Sequence, residues 1–353
     1  MSAHVLPAAE ALARLDAFDA IIDARSEGEF AEDHLPGALN WPSLNNEQRI
    51  RVGTLYKQVS PFEAQKIGAA LVARNIANRI ERDVLDKPKN WQPLIYCWRG
   101  GKRSNALGLV LGQIGFRVQV LEGGYKAFRS AMLENMPQQV ARLRFRVVCG
   151  PTGSGKTRLL RALDATGAQV LDLEGLASHR SSVLGMIPGR PQPSQKRFET
   201  LLWDRLRRLD ASRPVFVEAE SKKVGNLAVP QCLMDAMRES PCVLLQMPDD
   251  ERVHLLLEDY AFFAQDIEFF CHRLDALTML RSKAVVEGWK AQARAGRVEA
   301  VVRDLLRMHY DPGYAESTRR HFSRFAEAQV LDASDRSMQT MRTLAQSLAD
   351  GGD

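Results

Sequence analysis

The chain has 353 residues, with 48 Lys and Arg against 43 Asp and Glu, a formal net charge of +5. Hydrophobic residues make up 45% and charged residues 26%, which excludes a mainly disordered chain and supplies apolar material for two domain cores. No apolar run approaches the roughly 18 residues of a membrane helix and the first residues lack a secretory signal pattern, so a cytoplasmic protein without membrane association is expected.

In chain order, the first part alternates short apolar runs with helical patterns. Residues 19–23, 94–96 and 117–121 read as strands, and residues 61–74 and 104–114 as helices. Such alternation implies a parallel sheet covered on both faces. The pattern breaks around Asn135 to Gln139, so a first domain over 1–137 and a second over 138–353 are expected. The second opens as α/β again, with strands over 143–149, 169–172, 214–217 and 242–246. From Asp249 onward it reads as helical. Ile267, Phe270, Leu274 and Leu277 recur at helical spacing, as do Val298, Val301, Val302 and Leu305, and both stripes read as core packing.

Two loops carry chemistry. Gly150 to Thr157 matches G-x-x-x-x-G-K-[ST] between an apolar strand and a helical run. Gly150, Gly153 and Gly155 let backbone N–H groups, with that of Ser154, converge on phosphate oxygens. Lys156 adds a full charge and the Thr157 hydroxyl suits Mg²⁺. An acid for the metal is expected after a later strand, where Glu218 is the nearer candidate and Glu220 the second. The other loop is Cys97-Trp98-Arg99-Gly100-Gly101-Lys102-Arg103-Ser104, again between a strand and a helix. A helix N-terminus, a cradle of N–H groups and the cations Arg99, Lys102 and Arg103 all favour a thiolate at Cys97, making it the expected nucleophile. Trp98 either stacks on a ligand or packs into the sheet edge. The other cysteines, 149, 232, 242 and 271, lie in strand or helix patterns. Five cysteines with no C-x-x-C pair point away from a disulfide framework or a zinc site, and the seven histidines show no ligand spacing, so no tightly bound metal is expected.

Basic residues are unevenly spread. Residues 135–163 hold six Lys or Arg and no acid, and residues 175–198 hold four more and no acid. Such stretches suit a polyanion or a phosphorylated small molecule, although a solvated basic face has the same composition. Arg158, Arg180, Arg190, Lys196, Arg197, Lys222 and Lys223 are the candidate contacts to RNA or diphosphate.

Asp23-Ala-Arg25 with Glu29 and Phe30, then His34-Leu-Pro36-Gly37-Ala38, resembles the N-terminal signature of rhodanese domains, in which Asp23 and Arg25 are expected to pair. The Cys97 loop and Gly123-Gly124-Tyr125 follow at the expected positions. The fusion of such a domain to a P-loop domain resembles the bacterial tRNA 2-selenouridine synthase family. Supporting stretches are Arg51 to Ala64, Gln192 to Lys196 and His309 to Pro312. The family pattern has a glycine where Ser181 stands. The resemblance implies a rhodanese-like parallel-sheet domain followed by a P-loop α/β domain with a helical C-terminal part. It further implies a tRNA-modifying transferase that alkylates a wobble 2-thiouridine with geranyl diphosphate and replaces the S-geranyl group with selenium from selenophosphate. Cys97 would carry the selenium as a selenyl-sulfide, with Arg99, Lys102, Arg103 and the loop amides holding the departing anion. Geranyl diphosphate is then the expected P-loop ligand, with Mg²⁺ assisting departure of its diphosphate. Two other readings stay open: a cysteine phosphatase fused to a P-loop NTPase, since Cys97-x5-Arg103 has a suitable loop length, and a nucleotide-gated RNA-binding regulator.

Overall fold

The computed structural model describes residues 4–350. The chain divides into two compact units, residues 1–137 with 193–204, and residues 138–192 with 205–353. Residues 193–204, assigned above to the second domain on sequence position, therefore pack with the first unit. The helix Gly124–Ala141 also runs unbroken through the expected break at Asn135 to Gln139, with Pro137 inside it.

The first unit is built on five parallel strands, β1 (His4–Leu6), β2 (Ala20–Asp23), β3 (Ala38–Asn40), β4 (Pro93–Tyr96) and β5 (Gln119–Leu121). Their order is β1-β5-β4-β2-β3, with Ile22 opposite Ile95 and Ile95 opposite Val120. All four residues of β4 are buried, as expected of a central parallel strand covered on both faces. The apolar core holds Ile22, Trp41, Ile95, Leu107 and Val120. Asp23 and Arg25 do pair: Arg25 Nη2 donates to Asp23 Oδ2 at 2.6 Å, with both side chains essentially buried.

The second unit has strands β6 (Arg144–Cys149), β7 (Gln169–Leu171), β8 (Pro214–Glu218), β11 (Cys242–Gln246) and β12 (Gln329–Asp332), in the order β12-β11-β6-β8-β7, all parallel. A short antiparallel pair, β9 (Lys223–Val224) and β10 (Leu227–Ala228), stands apart from that sheet. β6 is again central, and Val148, Leu163, Phe216, Val243 and Met341 fill the core beside it. The C-terminal part is helical as expected, except that β12 adds an edge strand to the sheet. A second apolar cluster, around Phe263, Phe270, Leu274, Val286, Trp289 and Leu305, is built by these helices with Leu184 from an earlier loop. No described helix is long and apolar enough to cross a membrane.

Candidate functional site: a cysteine cradle and a P-loop

Each unit opens its loop from the C-terminal end of a central strand, the position where open parallel sheets bind ligands. In the first unit, β4 ends at Tyr96 and the helix Lys102–Ile114 begins six residues later, capped by Gly101. Cys97 Sγ accepts hydrogen bonds from the Gly101 N–H at 3.2 Å and from the Ser104 hydroxyl at 3.2 Å. Burial pushes the thiol pKa up, but the Ser104 hydroxyl and the N–H groups of Ser104, Gly101 and Arg99 outweigh it, leaving Cys97 below the ordinary cysteine value. Burial instead raises Cys232 and Cys271, and Cys149 is raised chiefly by its partner Cys242.

The loop is braced from below. The Tyr125 N–H donates to the Cys97 carbonyl at 2.8 Å and that of Lys126 to the Trp98 carbonyl at 3.1 Å. This return is possible because residue 124 is glycine. Its φ is +59°, and a Cβ there would stand 2.2 Å from the Cys97 carbonyl oxygen. Tyr125 also stacks on Trp98, with ring centroids 5.4 Å apart, and the Arg25 guanidinium lies 4.0 Å from the Tyr125 ring centroid. Trp98 thus packs on Tyr125 in the helix Gly124–Ala141, whereas packing into the sheet edge is one of its two expected places. Asp33 ties the underside together, accepting from the Tyr125 hydroxyl at 2.8 Å and the Thr200 hydroxyl at 2.9 Å.

The cations of this loop divide into two kinds. Arg99 and Lys102 are exposed at the loop surface. Arg103 donates to Glu29 at 2.9 Å. Burial raises the Glu29 carboxyl, yet Arg103, Ser26 and Arg49 hold it below its usual value. Glu29 is also the third residue of a capping box with Ser26, so the helix start Glu27–Glu32 orients the group that holds Arg103.

In the second unit, β6 ends at Cys149 and the Gly150–Thr157 loop leads into the helix Lys156–Ala165. Lys156 Nζ donates to the Gly150 carbonyl at 2.6 Å. Burial lowers its pKa, against the attraction of Glu174, Glu220 and Glu218. The Thr157 hydroxyl donates to Glu174 Oε2 at 3.2 Å, and the Glu174 N–H donates to Glu218 Oε1 at 2.9 Å. Glu218 Oε2 and the Ser154 hydroxyl are buried with no hydrogen-bond partner. Burial, then Asp172, Glu220 and Glu174, push the Glu218 carboxyl well above its usual range, and burial with Glu174 pushes Glu220 up to about 8. Crowded carboxyls with orphaned oxygen beside a threonine hydroxyl fit a hard, oxygen-seeking cation such as Mg²⁺. No three His, Cys, Asp or Glu side chains among the described residues group closely enough to hold a metal alone. Phosphate oxygens of a ligand would complete such a shell.

Sequence reasoning missed Glu174, Arg252 and Tyr314. The Tyr314 hydroxyl accepts from the Gly150 N–H at 2.5 Å. Arg252 donates to the Thr152 carbonyl at 2.8 Å and to Asp311 at 2.5 Å, which ties the His309–Pro312 stretch to the P-loop. None of the three lies in a local motif that could announce it.

The seven candidate basic contacts do not form one set. Arg158 pairs with Glu258 and Asp259, and Arg180 donates to the Asp259 carbonyl while lying over the Tyr260 ring. Lys196 pairs with Glu32, and Arg197 donates to the His34 carbonyl, both inside the first unit. Arg190, Lys222 and Lys223 are exposed. Ser181 has φ +52°, a left-handed backbone conformation uncommon for a residue other than glycine.

A thiolate-favouring cysteine loop on one α/β unit and a P-loop on the other define a two-part protein of the rhodanese-like and P-loop classes. Family profiles agree: a rhodanese-like domain matches residues 7–131, and the tRNA 2-selenouridine synthase AAA domain matches residues 143–276. The chain is 32% identical to the tRNA 2-selenouridine synthase of Aeromonas salmonicida, over 88% of its own length and 90% of that protein. It is 37% identical to that of Marinobacter nauticus, over 68% of its own length; this match spans just under two thirds, 65%, of the relative. Among solved structures, the N-terminal domain of a putative ATP/GTP binding protein from Clostridium difficile 630 is 34% identical, covering 36% of this chain and 98% of that one, with a TM-score of 0.32. The chain belongs to the tRNA 2-selenouridine synthase family of tRNA-modifying enzymes.

Proposed function

We propose that the protein is a transferase that converts 2-thiouridine at the tRNA wobble position to 2-selenouridine, using geranyl diphosphate and selenophosphate. In the first step the uridine sulfur attacks the first carbon of geranyl diphosphate. The carbon–oxygen bond breaks, and diphosphate leaves with its electron pair. Lys156, the Ser154 hydroxyl and the loop N–H groups would grip that diphosphate, with charge placed where it develops in the transition state. Mg²⁺, held by Thr157 and Glu218, would supply further charge neutralisation. In the second step Cys97 Sγ attacks the selenium of selenophosphate, the selenium–phosphorus bond breaks, and phosphorus leaves with that electron pair as phosphite, held by the loop N–H groups. The terminal selenium on Cys97 then attacks carbon 2 of the base, and the geranyl thiolate leaves with the electron pair of the carbon–sulfur bond. A small thiol reduces the remaining selenium–sulfur bond, which frees 2-selenouridine and returns the Cys97 thiolate with formation of a disulfide of the thiol.

The observation that carries this reading is the Cys97 cradle, with Gly101 N–H and Ser104 hydroxyl both at 3.2 Å from Sγ, in a chain that also holds a P-loop. A phosphatase reading gains nothing from the geometry, since the Arg103 side chain that would clamp a phosphoryl group is held by Glu29. Incubating tRNA that carries 2-thiouridine with the protein and both donors should yield 2-selenouridine. Recovery of unchanged 2-thiouridine would defeat the proposal. For the P-loop ligand, geranyl diphosphate should displace ATP from the protein; tight ATP binding that it cannot displace would remove that part.

A further inference from the structure

The second unit contains an apolar cavity that the proposed reaction has not yet used. It is partly open to solvent and lined almost wholly by apolar and aromatic side chains, as small-ligand sites commonly are. Its wall begins at Thr152, within the P-loop, and continues along Leu256, Tyr260, Phe263, Val302 and Leu305.

We propose that this cavity seats the hydrocarbon chain of the phosphorylated ligand, a linear prenyl diphosphate, and that its walls select chain length. The proposal rests on the reading of the P-loop as a diphosphate site, and three observations carry it further. First, cavity and loop are continuous. Gly153 has φ +79°, and a Cβ there would lie 3.1 Å from the Leu256 side chain, so the backbone that cradles phosphate touches the cavity wall. Second, the lining suits hydrocarbon rather than a nucleoside. Of its fourteen residues only Thr152, Ser182, Tyr260 and Tyr310 carry polar side-chain atoms. Ribose hydroxyls and a base edge would lose most of their hydrogen bonds there, whereas an alkenyl chain has none to lose. Third, the wall includes Leu306 and Tyr310, the two ends of a π-helical turn, Leu306–Tyr310. Turns of this kind are rare and recur at functional sites. The side chains that set the cavity's width, Leu257 and Val302 among them, are half-buried, as walls of an accessible pocket must be.

Calorimetric titration of the full-length protein with inorganic pyrophosphate, dimethylallyl, geranyl and farnesyl diphosphate tests the proposal. Affinity should rise by about tenfold or more from pyrophosphate to the best-fitting chain, since even one methylene in an apolar pocket changes discrimination by about tenfold. Val302→Trp, which fills the cavity, should weaken geranyl diphosphate by about tenfold or more and leave pyrophosphate unchanged. Leu257→Ala should shift the preference towards the longer farnesyl chain. Equal affinity for pyrophosphate and all three prenyl diphosphates would overturn the pocket while leaving the P-loop reading standing. Failure of every diphosphate to bind would overturn both. Should either variant fail to fold, the chain-length series on the unaltered protein decides alone.

Discussion

Replacing Ser104 by alanine removes one oxygen from a fully buried position in the first turn of a helix, so the fold should persist. The lost hydroxyl stands 3.2 Å from Cys97 Sγ. A hydrogen bond to a charged partner contributes about 1.5 to 3 kcal/mol, so the thiolate should lose about tenfold to a hundredfold in its ionisation equilibrium. Burial, which opposes the charge, would then be countered only by the N–H groups of Ser104, Gly101 and Arg99. The assay is the pH dependence of Cys97 alkylation by iodoacetamide, followed by peptide mass spectrometry that separates Cys97 from Cys149, Cys232, Cys242 and Cys271. The Ser104→Ala profile should move to higher pH, with slower alkylation at neutral pH. An unmoved profile would refute the assignment of the hydroxyl as a thiolate donor, and a move to lower pH would reverse its sign.

Three further outcomes follow from the same geometry. Gly124→Ala should cost about 2 to 3 kcal/mol, from left-handed backbone strain and loss of the Tyr125 N–H bond to the Cys97 carbonyl, and should blunt Cys97 alkylation; denaturant unfolding at wild-type midpoint would count against it. Glu220 has its carboxyl raised to about 8 in the folded protein from an ordinary 4.5, so the folded state holds a proton that the unfolded state has released across that window. Stability from this group therefore falls as pH rises from 4.5 to 8, by at most about 5 kcal/mol, and Glu220→Gln should flatten the pH dependence of the urea midpoint. An equally steep wild-type and variant profile would contradict that assignment. Lys156→Ala should abolish pyrophosphate binding in titration while leaving Cys97 alkylation unchanged; retained binding would remove the lysine from the phosphate site.

Both loops were legible because each is one unbroken run of residues whose chemistry is local. Glycine, lysine and threonine at fixed spacing, or cysteine among cations at a strand end, need nothing distant to be recognised. What surrounds them is distant. Tyr314 reaches Gly150 across 164 positions and Arg252 reaches Thr152 across 100, and no spacing rule predicts such meetings. The strands β1 and β3 have three residues each, and β12 has four, too short for alternation to register. Charge counts also mislead on role. Lys196 and Arg197 sit in an acid-free stretch, yet their partners Glu32 and His34 come from a segment more than 160 residues earlier.

The helical stripes show another limit. Phe270, Leu274, Leu277, Val301 and Leu305 do pack as core, yet Phe270 and Leu305 also border the cavity, together with Val298 and Val302 from the same two stripes. A cavity wall and a core face have the same apolar period, so sequence alone reads both as packing. Only the arrangement of the helices around the P-loop separates them.

The central claim divides two chemical steps between two loops, and one comparison tests it most directly. Nucleosides from 2-thiouridine tRNA are measured by mass spectrometry after incubation with geranyl diphosphate and selenophosphate, using the unaltered protein and Cys97→Ala. The account predicts S-geranyl-2-thiouridine with both proteins and 2-selenouridine only with the unaltered one. Selenouridine formed equally well by Cys97→Ala would contradict it.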